Sequence, residues 1–202
     1  MAFPGAARAE QVSGVPVQVD IRTALPPREL DPVLDDAFTW LRDTGSAFGA
    51  KREVREESVE RLSRALLAAG AVDHQVRAGN AVRVRGSATP GRRWRVEVRD
   101  PGTGRVRTAV YAHDLAIATA SAAVNDTRAP GRSVTVVGPD LVMAGAYASA
   151  ISALGPTMAR RFAVRLAEAG PYEVLIAAPE RRPVSTPGFA AYGPVGGTLL
   201  AG

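Results

Sequence analysis

Few side chains in this sequence are of the types that carry out chemistry on their own. The chain of 202 residues has no cysteine and two histidines, His74 and His113. This composition excludes disulfides, thiolate zinc sites, iron–sulfur clusters, cysteine nucleophiles and a metal site built from several histidines. His113 directly precedes Asp114, an adjacent pair that is more typical of structure than of catalysis. No catalytic or metal-ligating residue therefore follows from residue types alone.

Two common phosphate and nucleophile motifs are also missing from the sequence. Gly102-Thr103-Gly104 is too short for a phosphate-binding loop and lacks the lysine that would end it. No G-x-S-x-G segment is present, so an α/β-hydrolase nucleophile is not indicated.

Positive charge is concentrated between residues 81 and 110. This stretch holds eight arginines against Glu97 and Asp100, in a chain whose formal net charge is +5. If neighbouring strands pair in order, the arginines form one basic sheet face that could bind phosphate or a nucleic-acid backbone. No aromatic residue is interleaved on this face to stack bases. We therefore favour a solvated sheet face, with nucleic-acid binding the least favoured function.

The elements that must position any site follow from hydrophobic periodicity. Alternation predicts strands at 15–22, 74–77, 81–86, 93–99, 105–111, 133–137 and 172–176, with a short apolar piece at 114–119. Amphipathic or small-residue patterns predict helices at 29–43, 141–154 and 157–169, and another that begins in the charged run 51–57 and ends near Gly70. The apolar positions of this last helix are Val59, Leu62, Leu66 and Leu67.

The four strands between 74 and 111 resemble an antiparallel meander. The tail from Glu180 is rich in proline and glycine and is predicted to be loop. This mixture favours an α+β single domain.

The sequence also bears on location. No stretch approaches the roughly 20 apolar residues that a membrane-spanning helix needs. The first ten residues have no apolar core of a signal peptide. We expect a cytoplasmic protein with no membrane partner.

One run of residues resembles a known family. Ser133–Pro139 reads SVTVVGP and Ala144–Gly155 reads AGAYASAISALG. They are similar to the SVTVVAP strand and ADALATALFVLG helix of the FAD:protein FMN transferase (ApbE) family. Weaker similarities occur in the same order at 15–22, 38–48, 57–70, 76–86, 94–101 and 116–119, among them VRAGNAVRVRG against VNAGGDIRVRG. The resemblance covers most of residues 13–178.

This resemblance implies a fold, a domain organisation and a ligand. We expect an α+β, ApbE-like domain at 13–178 with a mixed or antiparallel sheet packed by helices. An N-terminal segment at 1–12 precedes it and a Pro/Gly-rich tail at 179–202 follows it. Members of the family hold FAD with a magnesium ion on its pyrophosphate and pass the FMN half to a serine or threonine of a target protein. A long central stretch of the family is missing between Arg52 and Val54.

The cofactor-binding positions that the resemblance implies are Arg55, Gly79, Asn80, Thr119 and Ser149. Several functional groups of the family are replaced at these and nearby positions. The carboxylate of the ADALAT helix falls at Gly145, and that of the GGD turn is lost because the turn reads Gly79-Asn80-Ala81. Arg55 stands where the family has a lysine. Since magnesium prefers oxygen ligands such as carboxylates, these losses argue against a magnesium site.

We therefore favour an ApbE-like protein without transferase activity, which binds a flavin or another nucleotide or a protein partner. A divergent active FAD:protein FMN transferase, or another small-molecule enzyme on the same fold, remains the alternative. FAD or FMN is the cofactor that the resemblance implies, and the residues themselves identify none. The small-residue helix and the missing central region also predict a homodimer or a complex.

Overall fold

The computed structural model describes residues 5–23, 25–46, 56–100, 104–122, 131–178, 182–193 and 198–199. The strands are β1 (Gly5–Val12), β2 (Val15–Arg22), β3 (His74–Ala78), β4 (Ala81–Arg85), β5 (Trp94–Arg99), β6 (Val106–Ala112), β7 (Leu115–Ser121), β8 (Ser133–Gly138), β9 (Glu173–Ala177), β10 (Val184–Ser185) and β11 (Thr198–Leu199). The helices are α1 (Pro27–Ser46), α2 (Glu56–Ala68), α3 (Leu141–Ala153) and α4 (Pro156–Ala169), with a 3-10 helix at Pro187–Tyr192.

Nine strands form the main sheet, in the order β1-β2-β3-β4-β7-β8-β9-β10-β11, and β5 and β6 form a separate hairpin. Neighbours in the main sheet are antiparallel except β10 and β11, which are parallel. Antiparallel and mixed pairing together give the α+β architecture that the sequence predicts.

The helices cover one face of the main sheet. Alternate side chains of the strands point to this face, and they pack against apolar stripes of the helices around Phe38, Leu66 and Ile151, all fully buried. α2 lies over β3 and β4, α3 over β7 and β8, and α4 against α3 and β9. The buried face of α3 consists of Leu141, Ala144, Gly145, Ala148, Ile151 and Ser152, so its small residues allow close packing within the chain.

The β5–β6 hairpin covers the opposite face. Trp94, Val96 and Val98 point inward from β5, and Phe189 of the 3-10 helix joins the same apolar cluster. Trp94 donates from Nε1 to the Arg85 carbonyl oxygen at 2.9 Å, which satisfies the one polar atom of a buried indole.

Most predicted elements are confirmed, with the following differences. β4 pairs with β7 rather than with β5, so the strands between 74 and 112 form two hairpins in two sheets and not one meander. Leu67 is exposed, and Ser63 takes its place on the buried face of α2. Residues 5–12 form an edge strand that was not predicted, and the tail adds β10, β11 and the 3-10 helix. None of the described helices is both long and apolar enough to cross a bilayer.

The continuous basic face, which depended on neighbouring strands pairing in order, does not form. Because β4 lies in the main sheet, Arg83 points towards the helices and is only 3% exposed. Arg95 and Arg99 lie on the outer surface of the β5–β6 hairpin, where both pair with Glu97. The arginines are thus divided between two sheets, and several are already neutralised by acids.

Candidate functional site

Three of the predicted positions meet at one end of the main sheet. Gly79 and Asn80 form the tight turn between β3 and β4, and Thr119 lies beside it on β7. The Thr119 amide donates to the Asn80 carbonyl oxygen at 3.2 Å. Gly79 has φ +55°, a left-handed conformation that favours glycine. The β-hairpin geometry therefore holds Gly79, Asn80 and Thr119 together.

Thr119 also takes part in a pair of hydroxyl groups. Its Oγ1 lies 2.9 Å from Oγ1 of Thr135 on β8, directly across the strand pair. By strand alternation both side chains share the face of Ile117 and Val137, which is the face covered by the β5–β6 hairpin. The predicted Thr119 side chain is thus directed away from the helices.

Ser149 lies on α3, on the other side of the sheet. Its side chain is exposed, and no hydrogen bond within the described ranges links it to Asn80 or Thr119. A ligand that touches both groups must therefore extend around the end of the sheet. Arg55, the fifth predicted position, and the region of the expected deletion lie outside the described residues.

α2 and α3 meet in an arrangement that the sequence analysis missed. Glu60 Oε1 lies 3.3 Å from the Leu141 amide at the start of α3. Glu56 lies one helical turn before Glu60 on α2, and Gly145 lies one turn after Leu141 on α3. The Glu56 side chain lies against Gly145. A Cβ added to Gly145 would be 2.5 Å from Glu56 Oε1 and 2.7 Å from its Cδ. We call this group of residues, Glu56, Glu60, Leu141, Gly145 and Ser149, the α2–α3 junction.

The two carboxylates of the junction differ in their partners. Glu60 is 13% exposed and lies 3.5 Å from Nη1 of the buried Arg83. Arg83 also donates to the Pro139 carbonyl oxygen at 2.6 Å. Burial lowers the pKa of the Arg83 guanidinium, and the charge of Glu60 opposes that shift. Glu56 is half-buried, and among the described residues no side chain or amide donates to its carboxylate.

The two ends of α3 are held by different groups. Asp140 caps its N-terminus by accepting from the Met143 amide at 2.8 Å. At its C-terminus the buried Arg132 donates through Nη2 to the carbonyl oxygens of Ile151, Ser152 and Leu154. A guanidinium at a helix C-terminus satisfies free carbonyls and opposes the negative end of the helix dipole. α3, and with it Gly145 and Ser149, is thereby fixed against the sheet.

His74 has a structural environment and does not belong to a catalytic arrangement. His74 is fully buried, with Nδ1 2.6 Å from the Ala71 carbonyl oxygen and Nε2 2.7 Å from the Ser63 hydroxyl. Because Nδ1 faces an acceptor it carries the proton, so Nε2 accepts from Ser63. Burial lowers the pKa of His74, against the opposing effect of its bond to Ala71. This is a neutral histidine in the core, inaccessible to substrate.

The fit of a magnesium ion can be judged from the donors present. Within the described part of the chain, no three acidic or histidine side chains converge to form a protein cage. Magnesium bound to nucleotides commonly needs only one or two carboxylates, because phosphate oxygens and water supply the other ligands. Glu56 provides one carboxylate in the space that Gly145 leaves open. The donors therefore suit a cation that arrives with a phosphate group, and not a cation held by protein alone.

Comparison with solved structures shows which known fold this is. The chain aligns with the flavin transferase ApbE from Vibrio cholerae over 94% of its own length and 99% of that chain, at 12% identity and a TM-score of 0.67. For the flavinyl transferase ApbE of Pseudomonas stutzeri, apo form, the coverage is 96% and 99%, the identity 11% and the TM-score 0.73. The alignment with the ApbE protein of Thermotoga maritima covers 95% of this chain and 100% of that chain, at 16% identity and a TM-score of 0.68.

The TM-scores establish the fold, whereas identities of 11–16% leave the activity open. No family model matches the sequence, and no curated protein does. The fold that the motifs between residues 133 and 155 imply is nevertheless confirmed, since the structures that share it are flavin transferases of the ApbE type.

Proposed function

Starting from the fold of the ApbE flavin transferases, we propose that this chain binds a flavin nucleotide and does not transfer FMN. The observation that supports binding is the extent of the likeness, which spans 94–96% of the chain in three solved structures. The ligand would lie at the end of the main sheet, beside the Gly79–Asn80 turn and Thr119, and would extend to Ser149 and the α2–α3 junction.

The proposed lack of transfer follows from the chemistry that transfer requires. In that reaction a serine or threonine hydroxyl oxygen bonds to the FMN-side phosphorus of FAD. The bridging P–O bond breaks, AMP leaves with its electron pair, and the hydroxyl proton passes to a base. Such reactions depend on positioned charge at the phosphates, and losing one such group typically costs about 10²–10³ in rate. Ala81 is buried and offers no carboxylate, and Arg55 stands where the resembled family has its lysine.

The test of binding is an equilibrium titration of the purified protein with FAD, with and without magnesium. We expect micromolar binding in the wild-type protein. Ser149→Trp should weaken it at least about tenfold, since the indole would fill the open end of the junction. Ala150→Trp is the matched control, because Ala150 is the next exposed residue on α3 and points in another direction. Absence of FAD binding in the wild-type protein would refute the proposal.

The test of transfer is the release of AMP from FAD, measured by chromatography. Transfer to any hydroxyl, including water, breaks the same phosphorus–oxygen bond and frees AMP. We expect no AMP above the level in a sample without protein. Sustained AMP release that depends on magnesium, with a mass gain of one FMN group on an acceptor, would instead establish a divergent active transferase.

The position of the Glu56 carboxylate favours the divergent active transferase. This carboxylate lies against Gly145 on α3, the position at which the resembled family has a carboxylate of its own.

A cytoplasmic location and a homodimer or protein partner stay predictions. Light scattering during gel filtration at micromolar concentration measures the oligomeric state, and a monomer would contradict the predicted dimer.

A further inference from the structure

The outer edge of β1 has no strand beside it among the described residues. β1 is the first strand in the order of the main sheet, and the strand that pairs with it is β2. β1 is eight residues long, contains no proline and pairs with β2 without a bulge. Proteins usually shorten, bend or cover such an edge, because its free N–H and C=O groups can pair with another strand. The β1 edge therefore offers a regular strand to a partner.

Alternate residues of β1 direct their backbone groups away from β2. The Pro16 carbonyl oxygen accepts from the Gly79 amide, so Pro16 directs its polar groups towards β3 and not towards Gln11, its neighbour on β1. Because bonded and non-bonded pairs alternate in an antiparallel ladder, the N–H and C=O of Ala7, Ala9 and Gln11 point to the outer edge. The side chains of these three residues lie on the exposed face of the strand, and none is large enough to block an approaching strand.

A row of four alternating charges follows the same edge, on the face that the helices cover. Arg8 of β1 donates to Asp35 of α1 at 2.6 Å and to Glu10 at 2.7 Å. Arg42 of α1 donates to the other oxygen of Glu10 at 2.5 Å. In order of contact, the row reads Asp35, Arg8, Glu10, Arg42. The exposed fractions of these side chains lie between 23% and 65%, so a molecule at this edge can reach the row.

The charge row is complementary to itself under a two-fold axis through Ala9. If two copies of β1 pair antiparallel about this residue, Arg8 of one copy faces Glu10 of the other, and each charge of the row meets the opposite sign. An axis through Arg8 or Glu10 would instead place two like charges opposite each other, which is destabilising. The axis through Ala9 also joins Ala9 to its copy and Ala7 to Gln11, with about six backbone hydrogen bonds. Backbone geometry and charge therefore select the same register.

We propose that the outer edge of β1 binds a second copy of this chain, and that the two strands pair antiparallel about Ala9 to join both main sheets into one. A closed two-fold contact of this kind uses the same surface on both copies. The surface differs from the one that the small-residue helix predicts, because much of the small-residue face of α3 packs inside the chain. The proposal concerns association alone and does not depend on flavin binding.

Cysteine cross-linking tests the register, and the chain suits it because it has no cysteine of its own. In the proposed pair the two Ala9 Cα atoms are about 5.5 Å apart, within the range that a disulfide bridges. The two Ala7 Cα atoms are about 14 Å apart, because Ala7 faces Gln11 of the second copy. Under mild oxidation, Ala9→Cys should form covalent dimers in at least about ten times the yield of Ala7→Cys, measured on non-reducing gels.

A mixture of two single-cysteine variants provides the matched control. Ala7→Cys and Gln11→Cys should each give little covalent dimer alone and should form a mixed covalent dimer together, because these two residues face each other across the pair. Equal cross-linking of Ala9→Cys and Ala7→Cys would mean random collision, and no cross-linking of Ala9→Cys would mean that the copies do not pair here. Either result would overturn the proposal.

An exchange of charges between copies tests the complementarity of the row. Arg8→Glu places two acids opposite each other across the pair, and Glu10→Arg places two bases there. Each variant alone should dimerise at least about tenfold more weakly than the wild-type protein in sedimentation velocity, whereas an equimolar mixture should form heterodimers. Any defect within a single chain is the same in the mixture, so recovery reports the contact between copies. A mixture that associates no better than either variant alone would refute the role of the charge row.

Ala9→Pro separates dimerisation from folding. Proline removes the outward N–H of this residue, which bonds to no other described strand of the same chain, and an edge strand tolerates proline at such a position. The variant should keep the circular dichroism spectrum of the wild-type protein and sediment as a monomer of 21.1 kDa at micromolar concentrations where the wild-type protein is a dimer. A folded Ala9→Pro variant that dimerises as well as the wild-type protein would contradict pairing through this edge, as would a monomeric wild-type protein.

Discussion

Replacing Arg83 by methionine should strongly destabilise the fold, although the sequence suggests a solvated arginine. Arg83 is 3% exposed, and its Nη1 lies 2.6 Å from the Pro139 carbonyl oxygen and 3.5 Å from Glu60 Oε1. In Arg83→Met the carboxylate of Glu60, itself 13% exposed, keeps the Leu141 amide but loses its cation. Leaving one charge of a buried pair uncompensated typically costs about 3–5 kcal/mol. That is a large part of the roughly 5–15 kcal/mol by which domains are stable.

The double variant Arg83→Met/Glu60→Met distinguishes the loss of a charge partner from the loss of packing. Apolar replacement of both members of a buried pair is often neutral, so the double variant should regain at least about 2 kcal/mol of the loss. Urea unfolding followed by circular dichroism gives these free energies, provided that the denaturant slope is unchanged. Arg95→Met is the control, since Arg95 is an exposed partner of Glu97 and should matter little.

Two results would refute this reasoning. The first is a loss below about 1 kcal/mol for Arg83→Met, which would place the guanidinium in solvent. The second is a double variant whose loss equals the sum of the two single losses, which would mean that the two charges do not interact.

Three further predictions concern other parts of the fold. Because burial lowers the pKa of His74, the unfolded state binds a proton at higher pH than the folded state does, so the free energy of unfolding should fall below about pH 6.5 by up to about 1.4 kcal/mol per pH unit. Urea titrations between pH 7.5 and 5.5 measure this, and an unchanged stability would contradict it. Phe38→Ala should cost about 3–5 kcal/mol, because the ring is fully buried; a smaller loss in urea would mean that helix α1 is loosely packed. Gly79→Ala should cost about 1–2 kcal/mol from its φ of +55° alone, whereas Gly170→Ala, at a φ of −171°, should not; equal thermal shifts would contradict this.

The sequence predicts the elements well because their signals are local. β2, α1 and the β3–β4 hairpin each follow from the spacing of a few neighbouring residues. β1 is missed because Gly5–Val12 consists of small and polar residues apart from Val12, an edge-strand pattern with little apolar signal. In the tail, β10 and the 3-10 helix lie among prolines and glycines that favour turns, and they are held by contacts to β9 and to the second core cluster.

What the sequence does not contain is the pairing of distant elements. The fifth and sixth strands follow the fourth along the chain, yet the fourth pairs with the seventh, leaving the β5–β6 hairpin to fold over the sheet. Arg83 and Arg95 have the same local pattern of alternation, but one lies under the helices and the other in solvent. Strand periodicity assigns each side chain to one of two faces and cannot say what covers that face.

The same distinction applies to the candidate site. In the sequence, Gly145 stands where the resembled family has a carboxylate. Glu56 is a charged residue in the first turn of another helix. In the folded chain the Glu56 carboxylate lies beside Gly145, because α2 packs antiparallel on α3 and the glycine leaves room for the glutamate. A cation responds to the place of an oxygen and not to the element that carries it. The loss of an acidic residue from a motif is therefore an argument against a cation site only after the side chains that pack on that position have been identified.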